Sequence, residues 1–211
     1  PTRPPLPAGP LTPDTTRITT APLAAPPDAQ TISLGRGDTP EPTPAPISAG
    51  MVGSASGLGT LEGYGQFGGY GAEAGQGRLR ERLVERFYAD TTAIVSDELF
   101  VSDGSKCDIS RLQMMFGGGR NIAVQDPSYP AYVDSSVMNG QTNGFDDATK
   151  QYGNIEYLAC NAENAFFPDL APAKKSDIIF FCSPNNPTGA AATRTQLEEL
   201  VAHAKATGSI V

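Results

Sequence analysis

Three short stretches of this chain carry residue types that together could hold a flat, phosphorylated molecule. In Val101-Ser102-Asp103-Gly104-Ser105-Lys106-Cys107-Asp108, Asp103 or Ser105 can cap a helix, Gly104 lets the backbone turn sharply, and the first-turn N–H groups then point at whatever lies in front. Lys106 in that turn opposes the helix dipole unless an anion neutralises it, and a phosphate would supply the anion. In Asp126-Pro127-Ser128-Tyr129-Pro130-Ala131-Tyr132, prolines flank a tyrosine just after the apolar run Ile122 to Val124. Ligands of open parallel sheets bind where loops leave the carboxyl ends of strands, so Tyr129 is placed to stack on a ring. The third stretch, Cys182-Ser183-Pro184-Asn185-Asn186-Pro187-Thr188-Gly189, follows Ile178-Ile179-Phe180-Phe181 and offers an amide at Asn186. Each stretch also has an ordinary reading: a capped helix with a solvated lysine, a proline-stiffened loop, and a turn built from Asn, Pro and Gly for backbone reasons. Their succession, phosphate donors, then a ring, then an amide, favours a binding site.

Other chemistries find little support. His203 is the only histidine, and beside the apolar stripe of a helix it reads as a half-exposed structural residue, so no Ser, His and Asp triad can be built. Cys107, Cys160 and Cys182 form no CxxC pair and are odd in number, which suggests neither zinc ligation nor a disulfide framework and fits a reducing compartment. They read as small hydrophobes; a lowered pKa at Cys107, at a helix start beside Lys106, is the alternative.

The elements that must position these loops follow from periodicity. Leu79, Leu83, Val84 and Phe87 recur at helical spacing among charged residues, and a second helix beginning near Ser105 turns Ile109, Leu112, Met115 and Phe116 inward. Apolar runs at Ile122 to Val124, Ile155 to Ala159 and Ile178 to Cys182, apolar on both faces and separated by crossover-length connections, predict a mainly parallel sheet covered by helices. The last helix opens on a Thr193/Gln196 capping box, buries Leu197, Leu200, Val201 and Ala204, and stops at Gly208. Ser209-Ile210-Val211 begins another strand. The fold class is therefore α/β, an incomplete large domain behind a proline-rich tail. Residues 1–30 read as a disordered Pro/Thr-rich tail, 31–75 as a glycine-rich arm with loops, and 76–211 as the partial domain.

Composition narrows the function. Residues 1 to 50 hold most of the nineteen prolines, a composition poor at forming helix or burying a shared face. A net charge of −8 without clustered Lys and Arg argues against nucleic-acid binding. No apolar run approaches the roughly 20 residues of a membrane span, so a soluble protein is expected. The Thr-rich opening fits the remnant of an organelle transit peptide, although Asp14, Asp28 and the two arginines before residue 30 fit it poorly.

At this point the residues resemble the LL-diaminopimelate aminotransferases, pyridoxal-phosphate enzymes of lysine biosynthesis with the aspartate aminotransferase fold. The resemblance runs from Asp28-Ala29-Gln30 through Ile32-Ser33-Leu34-Gly35 and Tyr70-Gly71-Ala72-Glu73 to Val211, with its most specific stretches at Phe100 to Leu112, Ala123 to Ser136, Tyr152 to Tyr157 and Asp177 to Thr193. It implies that Ser105 and Lys106 bind the phosphate of pyridoxal 5′-phosphate, Tyr129 stacks on its ring, Asn186 bonds its phenolic oxygen, and Tyr70 reaches the phosphate held by a partner subunit. Gly37, Lys106, Tyr129 and Asn186 would also touch substrate, among glutamate, 2-oxoglutarate, LL-diaminopimelate and tetrahydrodipicolinate. A homodimer is implied, in the plastid stroma for a plant or alga and in the cytoplasm otherwise, with no metal, nucleic acid or membrane. Residues 1–27 do not resemble the family's N-terminal arm, the loop from Gly65 to Gly69 is longer, and Arg36 replaces an apolar residue. The family's cofactor-holding lysine would fall after Val211. None of Lys106, Lys150, Lys174, Lys175 and Lys205 is placed to serve instead, so the chain is expected to be an N-terminal fragment, inactive alone. A different class I/II aminotransferase, or a non-catalytic short product that binds the cofactor or an intact subunit, is the alternative.

Overall fold

Apolar side chains at consecutive positions require cover on both faces, and the strands show it. In the computed structural model, which describes residues 41–67, 70–90, 94–170 and 176–211, strand β1 (Ile122–Asp126) is buried from Ile122 to Gln125. A short antiparallel hairpin, β2 (Phe145–Asp146) with β3 (Gln151–Tyr152), precedes β4 (Ile155–Ala159) and β5 (Ile178–Phe180). The sheet order is β4-β1-β5, all parallel, and Ile210 adds a parallel bridge to Ile178 on the outer side of β5.

Alternate residues feed two cores. Ile122, Val124 and Ile178 pack with Tyr132, Ile109 and Phe116, so one face is covered by the Ser105–Phe116 and Ala131–Met138 helices. Ala123, Leu158 and Ile179 pack with Leu200, which places the Arg194–Thr207 helix on the other. Each large aliphatic side chain buried this way contributes about 1.5–3 kcal/mol. The expected parallel, helix-covered sheet is what forms.

The last helix begins as its sequence requires: Gln196 N–H donates to the Thr193 side chain, while the Thr193 N–H donates to Gln196 Oε1 at 2.8 Å. It ends at Gly208 with φ 71°. Leu200 and Ala204 are buried, but Leu197 and Val201 are 40 % and 47 % exposed, a correction to the four-residue stripe. The Ser105–Phe116 helix departs further. Leu112 and Met115 face solvent, and the buried residue is Gln113. Its Nε2 donates to Ser136 Oγ at 2.8 Å and Gln141 Oε1 at 2.9 Å, so a polar lock joins this helix to the one that follows Tyr129.

The chain divides at Asp103/Gly104 into two units. In the first, the Gly77–Phe87 helix carries Arg80, whose guanidinium donates to the carbonyls of Gly75 and Ser96. Gly75 has φ 96° and lies where an added Cβ would come within 2.6 Å of Val101 Cβ, so glycine is required. Leu79 and Phe87 of that helix are exposed. The proline-rich residues 1–40 lie outside the described residues, as does Gly37.

Candidate functional site: loops at the carboxyl ends of strands β1 and β5

The connection from β1 passes through the Ala131–Met138 helix on one face and returns as β4; that from β5 passes through the Arg194–Thr207 helix on the other face and reaches Ile210 on the opposite side. Crossovers thus run in opposite directions from β1 and β5. The carboxyl ends of that strand pair form a topological switch point, where doubly wound sheets bind ligands. The loops of Tyr129 and Asn186 leave from there.

Tyr129 is half-buried, with its ring edge-on to Tyr132 at 5.8 Å and 83°. Tyr132 is stacked on Phe180 of β5 at 4.8 Å and 9°. This aromatic row fixes the Tyr129 ring from the core outward, each pair adding about 0.5–1.5 kcal/mol beyond its area. Burial, followed by the neighbouring Cys182 thiol, pushes the Tyr132 hydroxyl up to about 12.

Ser105 and Lys106 open their helix after Gly104, whose φ is 136°. The N-cap position of this helix is Gly104, which carries no side chain, so neither Asp103 nor Ser105 occupies it. Lys106 Nζ lies 5.4 Å from the centroid of the Tyr129 ring. A hydrogen bond with the Tyr129 hydroxyl, then the Tyr129 charge, raises the Lys106 pKa above its ordinary value; burial opposes this, and Asp134 adds the least to the rise. Lys106 therefore remains an ammonium throughout the neutral range. Burial raises the Asp134 carboxyl, and Lys106 partly offsets it.

Asn186 is exposed, but its neighbour Asn185 is 3 % exposed. Asn185 Nδ2 donates to the Pro127 carbonyl at 3.0 Å and to Thr188 Oγ1 at 3.1 Å, and the Gly189 N–H closes the turn on the Asn185 carbonyl at 2.7 Å. Gln125, 2 % exposed, accepts the Cys182 N–H at 2.7 Å. The buried amides of Asn185, Gln125 and Gln113 went unremarked in the sequence. Only Gln125 left a signal there, as a polar residue ending an otherwise apolar strand.

The structure thus gathers Lys106 and Tyr129 and ties the Tyr129 loop to the Asn186 loop. Tyr70 is fully exposed and belongs to the other unit. His203 is half-buried and lines a separate concavity of about 380 Å³ with Phe167, Pro168, Asp169 and Glu199, which includes none of the expected site residues. No group of His, Cys, Asp and Glu able to hold a metal occurs among the described residues, and no helix there is long and apolar enough to cross a membrane.

A family model described as "Aminotransferase class I and II" matches residues 32–211. The chain belongs to the class I and II aminotransferases. It is 58 % identical over 204 residues to the chloroplastic LL-diaminopimelate aminotransferase of Arabidopsis thaliana, covering 97 % of this chain and 43 % of that protein. It is 50 % identical over 185 residues to the LL-diaminopimelate aminotransferase of Protochlamydia amoebophila (strain UWE25), covering 88 % and 44 %. The solved L,L-diaminopimelate aminotransferase of Chlamydomonas reinhardtii superposes with a TM-score of 0.78 at 59 % identity, covering 87 % and 44 %. The chain spans less than half the length of these aminotransferases. Aminotransferases of this family work with pyridoxal 5′-phosphate. The donor set here suits that molecule: a helix start and an ammonium for the phosphate, a held aromatic ring for the pyridine, and an exposed amide for its oxygen.

Proposed function

We propose that this chain supplies the cofactor-binding part of an LL-diaminopimelate aminotransferase, which transfers the amino group of glutamate to the ring-opened keto form of tetrahydrodipicolinate and releases 2-oxoglutarate. The observation that carries the reading is the 58 % identity with the Arabidopsis enzyme across 97 % of the chain, a span that takes in all three loops.

Bound pyridoxal 5′-phosphate supplies the electron sink for the bond broken at the substrate's α-carbon. Ser105, Lys106 and the first-turn N–H groups hold the phosphate, combining charge with the helix dipole. Tyr129, kept in place by Tyr132, stacks on the pyridine ring and excludes water from that face. Asn186 donates its side-chain amide to the phenolic oxygen. Gly37, Lys106, Tyr129 and Asn186 touch substrate, and Tyr70 reaches the phosphate of a neighbouring subunit in a homodimer. In a plant or alga the protein works in the plastid stroma.

Purified full-length protein containing these residues, given LL-diaminopimelate and 2-oxoglutarate, is expected to form glutamate. Glutamate formed with other amino donors but not with LL-diaminopimelate would move the chain to another aminotransferase, and none with any donor would refute the enzymatic reading.

A further inference from the structure

The backbone ladder between β1 and β5 ends at the pair Val124 and Phe180. Tyr129 and Asn186 stand five and six residues beyond it, too far for strand pairing to set their separation. Two side-chain rungs continue the ladder outward. Gln125 Oε1 accepts the Cys182 N–H at 2.7 Å just past the last backbone pair, and Asn185 Nδ2 donates to the Pro127 carbonyl at 3.0 Å nearer the loop tips. Both amides are buried, 2 % and 3 % exposed, where such bonds are shielded from competing water.

Asn185 also couples the turn to this rung. Its Nδ2 reaches Thr188 Oγ1, which accepts the Ala190 N–H at 3.2 Å. The Asn185 Oδ1 is buried without a hydrogen-bond partner among the described residues. A side chain serving packing alone would fill the place without that cost.

We propose that Asn185, with Gln125 beneath it, is a positioning residue that fixes the spacing between the Tyr129 ring and the Asn186 amide, so that both meet the same flat ligand. The proposal rests on the reading of these loops as a pyridoxal-phosphate site. Gln125 and Asn185 bond neither Ser105 nor Lys106, which meets the clasped loop only at the Tyr129 side chain, so ring recognition falls more than phosphate recognition on loss of the clasp.

The test is to titrate the chain and its Asn185→Ala variant with pyridoxine 5′-phosphate, which has no aldehyde to react with surface lysines, and separately with inorganic phosphate. The variant is expected to bind pyridoxine 5′-phosphate about tenfold more weakly, the scale of one misplaced hydrogen bond, with inorganic phosphate affinity changed far less. Unchanged affinity for pyridoxine 5′-phosphate overturns the proposal. Parallel loss of both ligands also overturns it, since that is the signature of general loosening. If the unmodified chain binds neither ligand, the reading of the site itself fails, and the clasp with it.

Discussion

Replacing Gln113 by leucine keeps the volume of a buried side chain and removes its hydrogen bonds. Gln113 is 1 % exposed, and its Nε2 donates to both Ser136 Oγ and Gln141 Oε1. Two such bonds contribute about 1 kcal/mol each, and leaving Gln141 Oε1 without its donor adds a desolvation cost of about 1–3 kcal/mol. Against this, Gln113 Oε1 is itself buried without a partner, so its removal returns a cost of similar size. The net expectation is a loss of about 2 kcal/mol, read as a lower urea midpoint at unchanged slope. A double-mutant cycle with Gln141→Leu isolates the contact, and its coupling is expected near 1 kcal/mol. An unchanged midpoint, or additive effects in the cycle, would refute the claim that this lock holds the Ser105–Phe116 helix to the helix after Tyr129.

Lys106→Met is expected to weaken inorganic phosphate binding at least about tenfold, because a charge-assisted contact is lost; undiminished binding, measured by equilibrium dialysis, would place the anion elsewhere. Tyr132 ionises at about 12 in the fold and near 10 when unfolded, so its neutral form stabilises the protein below pH 10, and that contribution is lost as pH rises from 10 toward 12. Denaturant midpoints across this window should fall less in Tyr132→Phe than in the unmodified chain, and an equal fall would contradict the assignment.

What the sequence could disclose was local. The consecutive apolar residues Ile122-Ala123-Val124 and Ile178-Ile179-Phe180 announce strands buried on both faces, and Thr193 with Gln196 announces a helix start, because each signal is complete within a few residues. The three loops were legible because proline, glycine and asparagine at strand ends and helix starts carry backbone meaning of their own. Burial set by distant partners was not. Leu112 and Met115 fit an inward stripe by spacing, yet Gln113 is the buried residue, since Ser136 and Gln141 arrive from 23 and 28 residues away. The outward turn of Leu197 and Val201 is likewise decided by what packs against the helix, not by its own period. Asn186 is marked in the sequence by its place before Pro187-Thr188-Gly189, but nothing there marks Asn185, whose role is set by the approach of the Pro127 carbonyl 58 residues distant.

The central claim is that three loops form one pyridoxal-phosphate site with the phosphate at Ser105 and Lys106 and the ring on Tyr129. The most direct measurement follows tyrosine fluorescence, in a chain without tryptophan, during titration with pyridoxine 5′-phosphate and with pyridoxine. Quenching by the phosphorylated ligand at much lower concentration, weakened in Tyr129→Leu, is the expected result. Equal response to the two ligands, or a response that survives unaltered in Tyr129→Leu, would contradict it.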